Sequence, residues 1–378
     1  MIFTSEQAMI RDTAREFAQK EIAPNVRAWE RDDTVPTHIL GQLGELGLMG
    51  VCVDEKWDGA GADFVSYVLA TEELAAADCG ICNMMNVHNS PVCAALQEYG
   101  SEEQKERMLR PLAQGRVFGA LLLTEPDAGS DAAAIKTRAV RHGDKYVLNG
   151  TKQFVTSGRT ANIAMILAVT DSSKGAKGIT CFASRTDNPG YVVSRVEEKL
   201  GHRNCDTCQI TLEDMEVPAD DVLGQPGEGY KIVLSFLTAG RIAVAAQAVG
   251  VARAALECSV AYARERKTFG KPLAEHQSIA FRLADMATQL TVARTMLLHV
   301  AQEKDAGRIA PVEASMIKLF ASEMAEKVCS EAVQIHGGYG YLADFPVEKY
   351  YRDARVLQIY EGSSEVQKIL ISRDILRN

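Results

Sequence analysis

The spacing of apolar residues along the chain changes twice. Up to about residue 115 they recur every three or four positions, as in IRDTAREFAQKEIAPNVRAWE and SYVLATEELAAA, which is the period of a helix with one buried face. Between about residues 116 and 224 the apolar segments are short and rich in β-branched residues, as in YVLNGTKQFVTSG and QITLEDMEV. From Gly229 onward the helical spacing returns and continues.

These patterns predict an α+β protein with an N-terminal helical domain (1–115), a central β domain (116–224) and a C-terminal helical bundle domain (225–378). Turns such as RHGDK and DNPG separate the strands, and no helical segment lies between them. We therefore expect antiparallel pairing in a barrel-like β domain, because parallel strands need long crossovers. The long C-terminal segments with short loops between them favour an antiparallel four-helix bundle.

Composition agrees with an ordinary globular protein. The chain has 378 residues, 47% of them hydrophobic and 24% charged, which is enough for two or three cores. The net charge is −9 and no block of Lys or Arg stands out, so nucleic acid and membrane surfaces are not expected partners. No apolar run approaches the roughly 20 residues of a membrane span. The N-terminal segment predicts an amphipathic helix, and not a signal or transit peptide.

The cysteines allow two interpretations. Nine of them are scattered along the chain, which suits a reducing compartment. Cys79 with Cys82, and Cys205 with Cys208, form two C-x-x-C pairs, which is a spacing found in zinc and redox sites. The two pairs are too far apart for one knuckle of the usual spacing. We therefore favour buried small side chains and expect no metal site.

Five short stretches carry a family resemblance when taken together and in order. They are LTEPDAGSD from Leu123, TKQFVTSG from Thr151, RKTFGKPL from Arg266, QIHGGYGY from Gln334 and IYEGSSEVQ from Ile359. Together they resemble the acyl-CoA dehydrogenase family, over essentially the whole chain. The resemblance implies FAD as cofactor, an acyl-CoA thioester as substrate and electron-transfer flavoprotein as electron acceptor.

The resemblance assigns one group of residues to the flavin ring. Thr124 and nearby backbone amides would meet the pyrimidine side of the ring, Phe154 would pack on it, and the Thr156 hydroxyl would face N5. A donor at N5 stabilises the charge that grows there on reduction. Ser130 would lie beside both flavin and substrate. The assigned flavin residues are Leu123, Thr124, Ser130, Phe154 and Thr156.

A second group is assigned to the nucleotide end of FAD. Arg266 and Thr268 resemble the pyrophosphate contacts, since a guanidinium can fork onto phosphate oxygens. By the same resemblance these residues reach the cofactor of a neighbouring subunit, which implies a homotetramer built as a dimer of dimers. The full group is Arg266, Thr268, Phe269, Gln277, Gln334, Gly337 and Gly338.

Glu361 is the catalytic base that the resemblance implies. It would remove the α-proton of the thioester while the β-hydrogen leaves as hydride to flavin N5, giving a trans-2-enoyl-CoA. The neighbouring Ile359, Tyr360 and Gly362 would leave its carboxylate poorly hydrated and so raise its pKa toward working pH. Gly362 would leave room for the thioester. Ser363 and Glu365 are assigned to the cofactor.

The helix containing TAGRIAVAA completes the assigned site. One variant of the family carries its base just before the arginine of this segment, where this chain has Gly240. Glu361 is then the one candidate base. Arg241 matches the arginine near the pantetheine end of coenzyme A, and Thr238 stands where many members place an acid. That departure leaves open a carrier-protein thioester as substrate.

The acyl group is less readable. The segment from Cys79 to Val92, which by resemblance floors the acyl pocket, contains no Lys or Arg, so an apolar tail is expected. Met84 and Met85 could line the pocket or belong to the core, and for His88 we favour a satisfied buried histidine. A flavin oxidase on the same scaffold remains an alternative. A bacterial cytoplasm or a mitochondrial matrix is the expected location.

Overall fold

The computed structural model describes residues 2–32, 34–308 and 311–377. Its N-terminal part is helical and includes a buried α4. The helices are α1 (Ser5–Phe17), α2 (Val26–Arg31), α3 (Thr37–Glu45), α4 (Phe64–Ala77), α5 (Cys79–Val87), α6 (Ala94–Tyr99), α7 (Glu102–Gln104) and α8 (Arg110–Ala113), with short π-helical and 3-10 turns between several of them.

The central part is a sheet. Its strands are β1 (Gly119–Leu122), β2 (Arg138–His142), β3 (Lys145–Thr156), β4 (Ile163–Val169), β5 (Ile179–Arg185), β6 (Tyr191–Val196), β7 (Thr207–Pro218) and β8 (Val222–Leu223). They pair in the order β6-β7-β3-β2-β4-β5-β8, and β1 lies beside β4. Strand β8 ends at Leu223, and the C-terminal helices begin at Gly229. The expected boundaries near residues 115 and 224 therefore fall in connecting segments.

The sheet is mixed, which corrects the expectation of purely antiparallel pairing. Most strand pairs are antiparallel, but β1 runs parallel to β4, with Gly119 opposite Ile163, and β2 touches β4 in parallel at Arg138. The crossover from β1 to β4 contains a loop and the β2–β3 hairpin. The crossover therefore needs no helix. The absence of a helical pattern between the strands was for this reason not evidence against a parallel pair.

The C-terminal part is helical, as expected, with three long helices and two shorter ones. They are α9 (Gly229–Glu265), α10 (Gln277–Asp305), α11 (Pro311–His336), α12 (Val347–Ala354) and α13 (Ser364–Ile375), and a small hairpin of β9 (Lys267–Thr268) and β10 (Lys271–Pro272) joins α9 to α10. The α+β class and the order of helical, β and helical domains are confirmed.

Helix α9 is the central element of the core. Its length and composition would allow it to cross a membrane, but 78% of its most apolar window is buried inside the protein. Small residues let α4 approach closely: a Cβ added at Gly250 would collide with the Glu72 carbonyl oxygen. One apolar cluster thus contains Leu69 of α4 and Ala246 of α9, so the two helical domains share a core.

Two buried acids and three arginines also join these helices. Glu72 and Glu73 are almost fully buried on α4. Arg294 of α10 donates to Glu72 at 2.8 Å, and Glu73 accepts from Arg15 of α1 at 2.7 Å and from Arg253 of α9 at 2.6 Å. Each acid is paired because an unpaired buried charge is costly.

A buried lysine connects all three domains. Lys349 of α12 donates to Asp78, which caps α5, at 2.8 Å, and to Asp353 one turn along its own helix. The segment after β6 closes the network: the His202 backbone N–H donates to Asp353 at 2.7 Å, and the Asn204 amide donates to Asp78 at 2.9 Å. These paired acids raise the pKa of Lys349 despite its burial.

Replacing Lys349 by Met should therefore destabilise the whole protein. Two buried carboxylates would lose their cation, at a cost of about 3–5 kcal/mol. We expect a lower midpoint of urea unfolding, followed by circular dichroism. Lys231→Met is the matched control, since Lys231 is 71% exposed and pairs only with Glu228, itself partly exposed. Equal midpoints for the two variants would contradict a linking role of Lys349.

Candidate functional site

Glu361 lies in the turn that precedes α13. Its φ is 53° and that of Gly362 is 87°, so both residues occupy the left-handed region. A non-glycine residue there is uncommon and indicates that surrounding contacts hold the backbone. Ser363 begins α13: its hydroxyl accepts from the Val366 N–H at 3.4 Å. The predicted cofactor residue Ser363 thus has a capping role, and Glu365 in the first helical turn is exposed.

The Glu361 carboxylate lies directly against α9 at Gly240. A Cβ added to Gly240 would lie 2.8 Å from Oε2 and 3.0 Å from Cδ of Glu361. A side chain at position 240 would therefore occupy the space of the carboxylate. The alternative base position of the family and the Glu361 position are thus neighbours in space, and here Gly240 leaves the Glu361 carboxylate in place.

Burial raises the pKa of the Glu361 carboxyl, and two cations oppose that shift. One is Arg241, buried on α9 with its Nε unpartnered among the described atoms; the other is Lys318 of α11. Burial in turn lowers the pKa of both cations. Glu361 therefore has the environment of a general base: desolvated, but still favoured as a carboxylate by nearby positive charge.

Two buried or half-buried tyrosines near Glu361 make hydrogen bonds to neighbouring helices. Tyr360 donates to Gln247 of α9 at 2.5 Å, and Tyr67 of α4 donates to Asn86 of α5 at 2.8 Å. The predicted pocket segment thus contacts Tyr67 through Asn86. Met84 and Met85 are buried in the core cluster.

Helix α5 also reaches the sheet. The Asn83 amide donates to the Thr156 hydroxyl at 3.3 Å. This contact places the predicted flavin residue Thr156, at the end of β3, against α5. Cys79 and Cys82 of the same helix lie near Tyr360. The bond from Asn83 orients the Thr156 hydroxyl, which is already an acceptor and so has its own proton free to donate elsewhere.

The end of β3 is irregular, and this irregularity exposes an aromatic ring. The pairing of β3 with β7 shifts register between Lys152 and Val155, and Phe154 has a φ of 57°. As a result, Phe154 is 65% exposed, which is unusual for a phenylalanine in a strand. Such a bulge can aim a side chain out of the sheet. An exposed flat ring beside the Thr156 hydroxyl would suit a planar ligand.

The loop after β1 is held against this bulge by a buried ion pair. Glu125 accepts from Lys152 at 2.9 Å and from the backbone N–H groups of Lys136 and Thr137 at 2.6 and 3.0 Å. Lys152 also donates to the Leu123 carbonyl at 3.0 Å, and the Gln153 N–H donates to the Thr124 carbonyl at 2.8 Å. Leu123 and Thr124 are thereby fixed beside Phe154, whereas Ser130 further along the loop is exposed.

A second cluster forms at the far end of α9. Arg266, Thr268, Gly337 and Gly338 line a cleft of about 420 Å³, together with His336 and Tyr339. The Arg266 guanidinium lies 5.4 Å from the centre of the Tyr339 ring. A Cβ added at either glycine meets no atom within 4 Å, so the cleft is open there.

The other residues assigned to the nucleotide lie around this cleft. Phe269 is 98% exposed with a φ of 50°, and Gln277 begins α10 next to His276, which bonds the Thr268 hydroxyl at 3.2 Å. Gln334 is exposed on α11. The structure thus brings the assigned residues into two sets within one chain: one around Glu361 and the bulge, the other around the cleft.

Other predictions from the sequence can also be compared with the structure. His88 is buried and satisfied: it accepts from the Gly119 N–H at 3.1 Å and bonds the Leu112 carbonyl at 3.1 Å, which confirms the preferred interpretation. The four C-x-x-C cysteines are buried free thiols near backbone or Asp206 oxygens. Among the described residues, no three His, Cys, Asp or Glu side chains are grouped to hold a metal.

Sequence reasoning missed several residues of the site. Lys318, Gln367 and Asn83 contact the assigned residues but were not selected. Lys318 had a visible signal, since it is the one charge in the apolar run SMIKLFAS. Gln367 ends the motif IYEGSSEVQ, but its amide has no recognisable spacing signal. Asn83 had no signal, because its partner Thr156 becomes a neighbour only in the folded chain.

Comparison with known proteins agrees with this architecture. Three family models match in order: the N-terminal domain of acyl-CoA dehydrogenase over residues 4–116, its middle domain over 120–215 and its C-terminal domain over 227–376. These matches cover the helical, β and helical parts of the chain in the same order and define the class of protein as an oxidoreductase. The chain belongs to the acyl-CoA dehydrogenase family.

Individual proteins are similar over their full length. An acyl-CoA dehydrogenase from Bacillus subtilis is 44% identical over 376 residues, 100% of this chain and 99% of that protein. The structure of butyryl-CoA dehydrogenase from Megasphaera elsdenii has a TM-score of 0.97 and 40% identity, with both chains covered completely. A chain of a structure named for the electron transferring flavoprotein of Acidaminococcus fermentans has a TM-score of 0.98 and 42% identity, again with complete coverage.

The acyl-CoA dehydrogenases are flavoproteins, and the residues present fit FAD. An exposed ring at Phe154, a hydroxyl at Thr156, and an open cleft with a guanidinium and two glycines supply the features that a flavin ring and a pyrophosphate need. No described residue fills the cleft or covers the Phe154 ring.

Replacing Glu125 by Ala should loosen the loop after β1. The Lys136 and Thr137 N–H groups would lose a charged acceptor, and each such hydrogen bond contributes about 1.5–3 kcal/mol. We therefore expect amide hydrogen exchange of these two residues, measured by mass spectrometry, to accelerate by roughly tenfold or more. Asp127→Ala is the control, since Asp127 is 75% exposed and pairs only with Lys136. Equal acceleration in the control would contradict the role of Glu125.

Proposed function

We propose that this protein is an FAD-dependent acyl-CoA dehydrogenase with Glu361 as the base. The observation that carries the proposal is the placement of the Glu361 carboxylate, which is desolvated against Gly240 and flanked by Arg241 and Lys318. Removal of an α-proton from a thioester needs a base whose pKa is raised from that of an exposed carboxyl, and burial provides this at Glu361.

The chain's own residues would divide the work as follows. Glu361 accepts the α-proton, and the β-hydrogen leaves as a hydride, so that the acyl chain gains a double bond between the two carbons. The Glu361 N–H, held in a left-handed turn, suits the thioester carbonyl as a donor. Gly362 is assigned to the same thioester, and a side chain at this position would meet the Gln367 amide. Thr156, with its hydroxyl oxygen occupied by Asn83, has its proton available for the ring. Bound FAD would supply the hydride acceptor.

Binding of the coenzyme A arm is assigned to Arg241, Thr238 and Ser130. Arg241 is buried with an unpartnered Nε among the described atoms, so it has a donor available for a ligand. Thr238 is half-buried one turn earlier on α9, and Ser130 is exposed at the loop. Electron-transfer flavoprotein is the proposed acceptor, and a bacterial cytoplasm or a mitochondrial matrix the proposed location.

Similarity to butyryl-CoA dehydrogenase favours a short acyl chain. The buried Met84 and Met85 and the absence of Lys and Arg from the segment between Cys79 and Val92 favour an apolar one. We therefore propose short saturated acyl-CoAs, with butyryl-CoA as the first probe.

Anaerobic titration of the flavin-loaded protein tests this directly. Butyryl-CoA should bleach the oxidised flavin band, and longer or branched acyl-CoAs should bleach it less. Bleaching by no acyl-CoA would contradict the proposal; a carrier-protein thioester, allowed by Thr238, and reaction of the reduced protein with oxygen are the alternatives to measure next.

The matched variant for this titration is Glu361→Gln. This variant should keep its flavin and bind the thioester. Its rate of bleaching should fall by about 10²–10⁴-fold, because it lacks a proton acceptor. Asp374→Asn, which changes an exposed acid near the end of α13, should bleach at nearly the wild-type rate. Near-normal bleaching by Glu361→Gln would overturn the assignment of the base.

The cleft at Arg266 is proposed to hold the FAD pyrophosphate of a neighbouring subunit in a homotetramer. Exposed Phe269 and Tyr341, 98% and 85% accessible, lie near the cleft and suit a surface that a second chain covers. Gln277, Gln334, Gly337 and Gly338 belong to the same proposed surface.

Arg266→Ala should therefore lose FAD and weaken assembly together. Flavin content by absorbance and mass by light scattering measure the two effects. Arg264→Ala, an exposed arginine two residues earlier, is the control and should keep both. A flavin-free Arg266→Ala protein with native mass and stability would contradict the bridging role.

A further inference from the structure

Lys318 is a buried lysine with an unusual partner. It lies on α11, is fully buried, and donates from Nζ to the Gly362 carbonyl oxygen at 2.7 Å. Within the described part of the chain, no carboxylate lies at salt-bridge distance from it. Buried lysines are usually paired or neutral. The contact with the residue after Glu361 therefore needs an explanation beyond packing.

The carbonyls of Glu361 and Gly362 are both held by buried side chains. Gln367 of α13, also fully buried, donates to the Glu361 carbonyl at 3.2 Å and to the Gly362 carbonyl at 2.8 Å. Lys318 from α11 and Gln367 from α13 thus together hold the two successive left-handed residues, Glu361 and Gly362. Such a conformation persists only where contacts determine it.

The charge of Lys318 also faces the base. The charged and titratable groups that interact electrostatically with Glu361 are Arg241 of α9, Lys318 of α11 and Tyr67 of α4, and Glu365 of α13 interacts in the same way with Lys318. Burial lowers the pKa of Lys318 to about 8, and Glu361 opposes this shift. The ammonium form therefore predominates at neutral pH and favours the carboxylate form of Glu361.

We propose that Lys318 is a positioning residue for the Glu361 base, through its bond to the Gly362 carbonyl and through its charge. The bond fixes the turn that aims the carboxylate at the substrate. The charge keeps a desolvated carboxylate ionised, so that it can accept a proton. This inference rests on the proposed function of Glu361.

Lys318→Met tests both parts, because it keeps an apolar stem and removes the ammonium. Without this cation the charged form of Glu361 is less favourable, so its pKa rises and the acid limb of the rate of flavin bleaching by butyryl-CoA moves to higher pH. On the high-pH plateau the rate should still fall by about tenfold to a hundredfold, since the turn has lost a partner.

A second readout does not depend on activity. An infrared titration of the carboxyl band that is absent from Glu361→Gln reports the protonation of Glu361 directly. We expect this band to persist to higher pH in Lys318→Met than in the wild type. Lys327→Met, an exposed lysine on the same helix, should leave the titration and the rate unchanged.

Two further variants separate charge from hydrogen bonding. Gln367→Met removes a donor but no charge, so it should lower the plateau rate without moving the acid limb. Lys318→Gln removes the charge but keeps a donor, so it should move the acid limb with a smaller loss on the plateau; it also carries the test if Lys318→Met does not fold.

Each outcome decides the inference. An infrared titration and an acid limb that stay at their wild-type positions in folded Lys318→Met and Lys318→Gln would overturn it, as would an equal displacement in Gln367→Met. Failure of the proposed function is a different result: the wild type itself would not bleach with butyryl-CoA, while the infrared titration would still report on Lys318 and Glu361.

Discussion

The organisation of the site depends on keeping one carboxylate out of water. The Glu361 carboxylate lies against α9 at Gly240, and its pKa rises because the surroundings solvate its charge poorly. Desolvation alone would favour the neutral acid, which cannot act as a base. Arg241 and Lys318 oppose that tendency with positive charge from two different helices. The geometry of α9 and α11 therefore sets the ionisation of Glu361 as much as the turn that carries it.

That geometry is maintained by packing and ion pairs far from the base. Gly250 brings α4 against α9, and the buried Glu72 and Glu73 tie these helices to α1 and α10 through arginines. Lys349 links α12 to α5 and to the segment after β6. A close-packed interior transmits strain, so these contacts help to hold α9 and α11 in place beside Glu361. The N-terminal domain thus belongs to the site through α5, whose Asn83 touches Thr156.

The sequence predicted the parts of this arrangement that have local signals. Helical spacing and short β-branched segments gave the order of the domains, and ordered motifs selected Glu361, Thr156 and Arg266. The parallel pairing of β1 with β4 had no local signal, since a loop and a hairpin make the crossover. The left-handed backbone of Phe154 was equally invisible, because Phe normally avoids it. Lys318 and Gln367 act on Glu361 through contacts that only folding creates, so spacing could not assign them.

The two groups of assigned residues differ in how complete they are within one chain. The cations Arg241 and Lys318 and the amide of Gln367 near Glu361 are all buried within one chain. The electrostatic environment of Glu361 is therefore largely set by the protein itself. Around Arg266 the cleft is open and its aromatic neighbours Phe269 and Tyr341 face solvent. Apolar rings at such exposure gain free energy when a ligand or another chain covers them. The surroundings of Glu361 can thus be pre-organised inside a single chain, while the cleft at Arg266 is suited to be completed by a ligand or another chain.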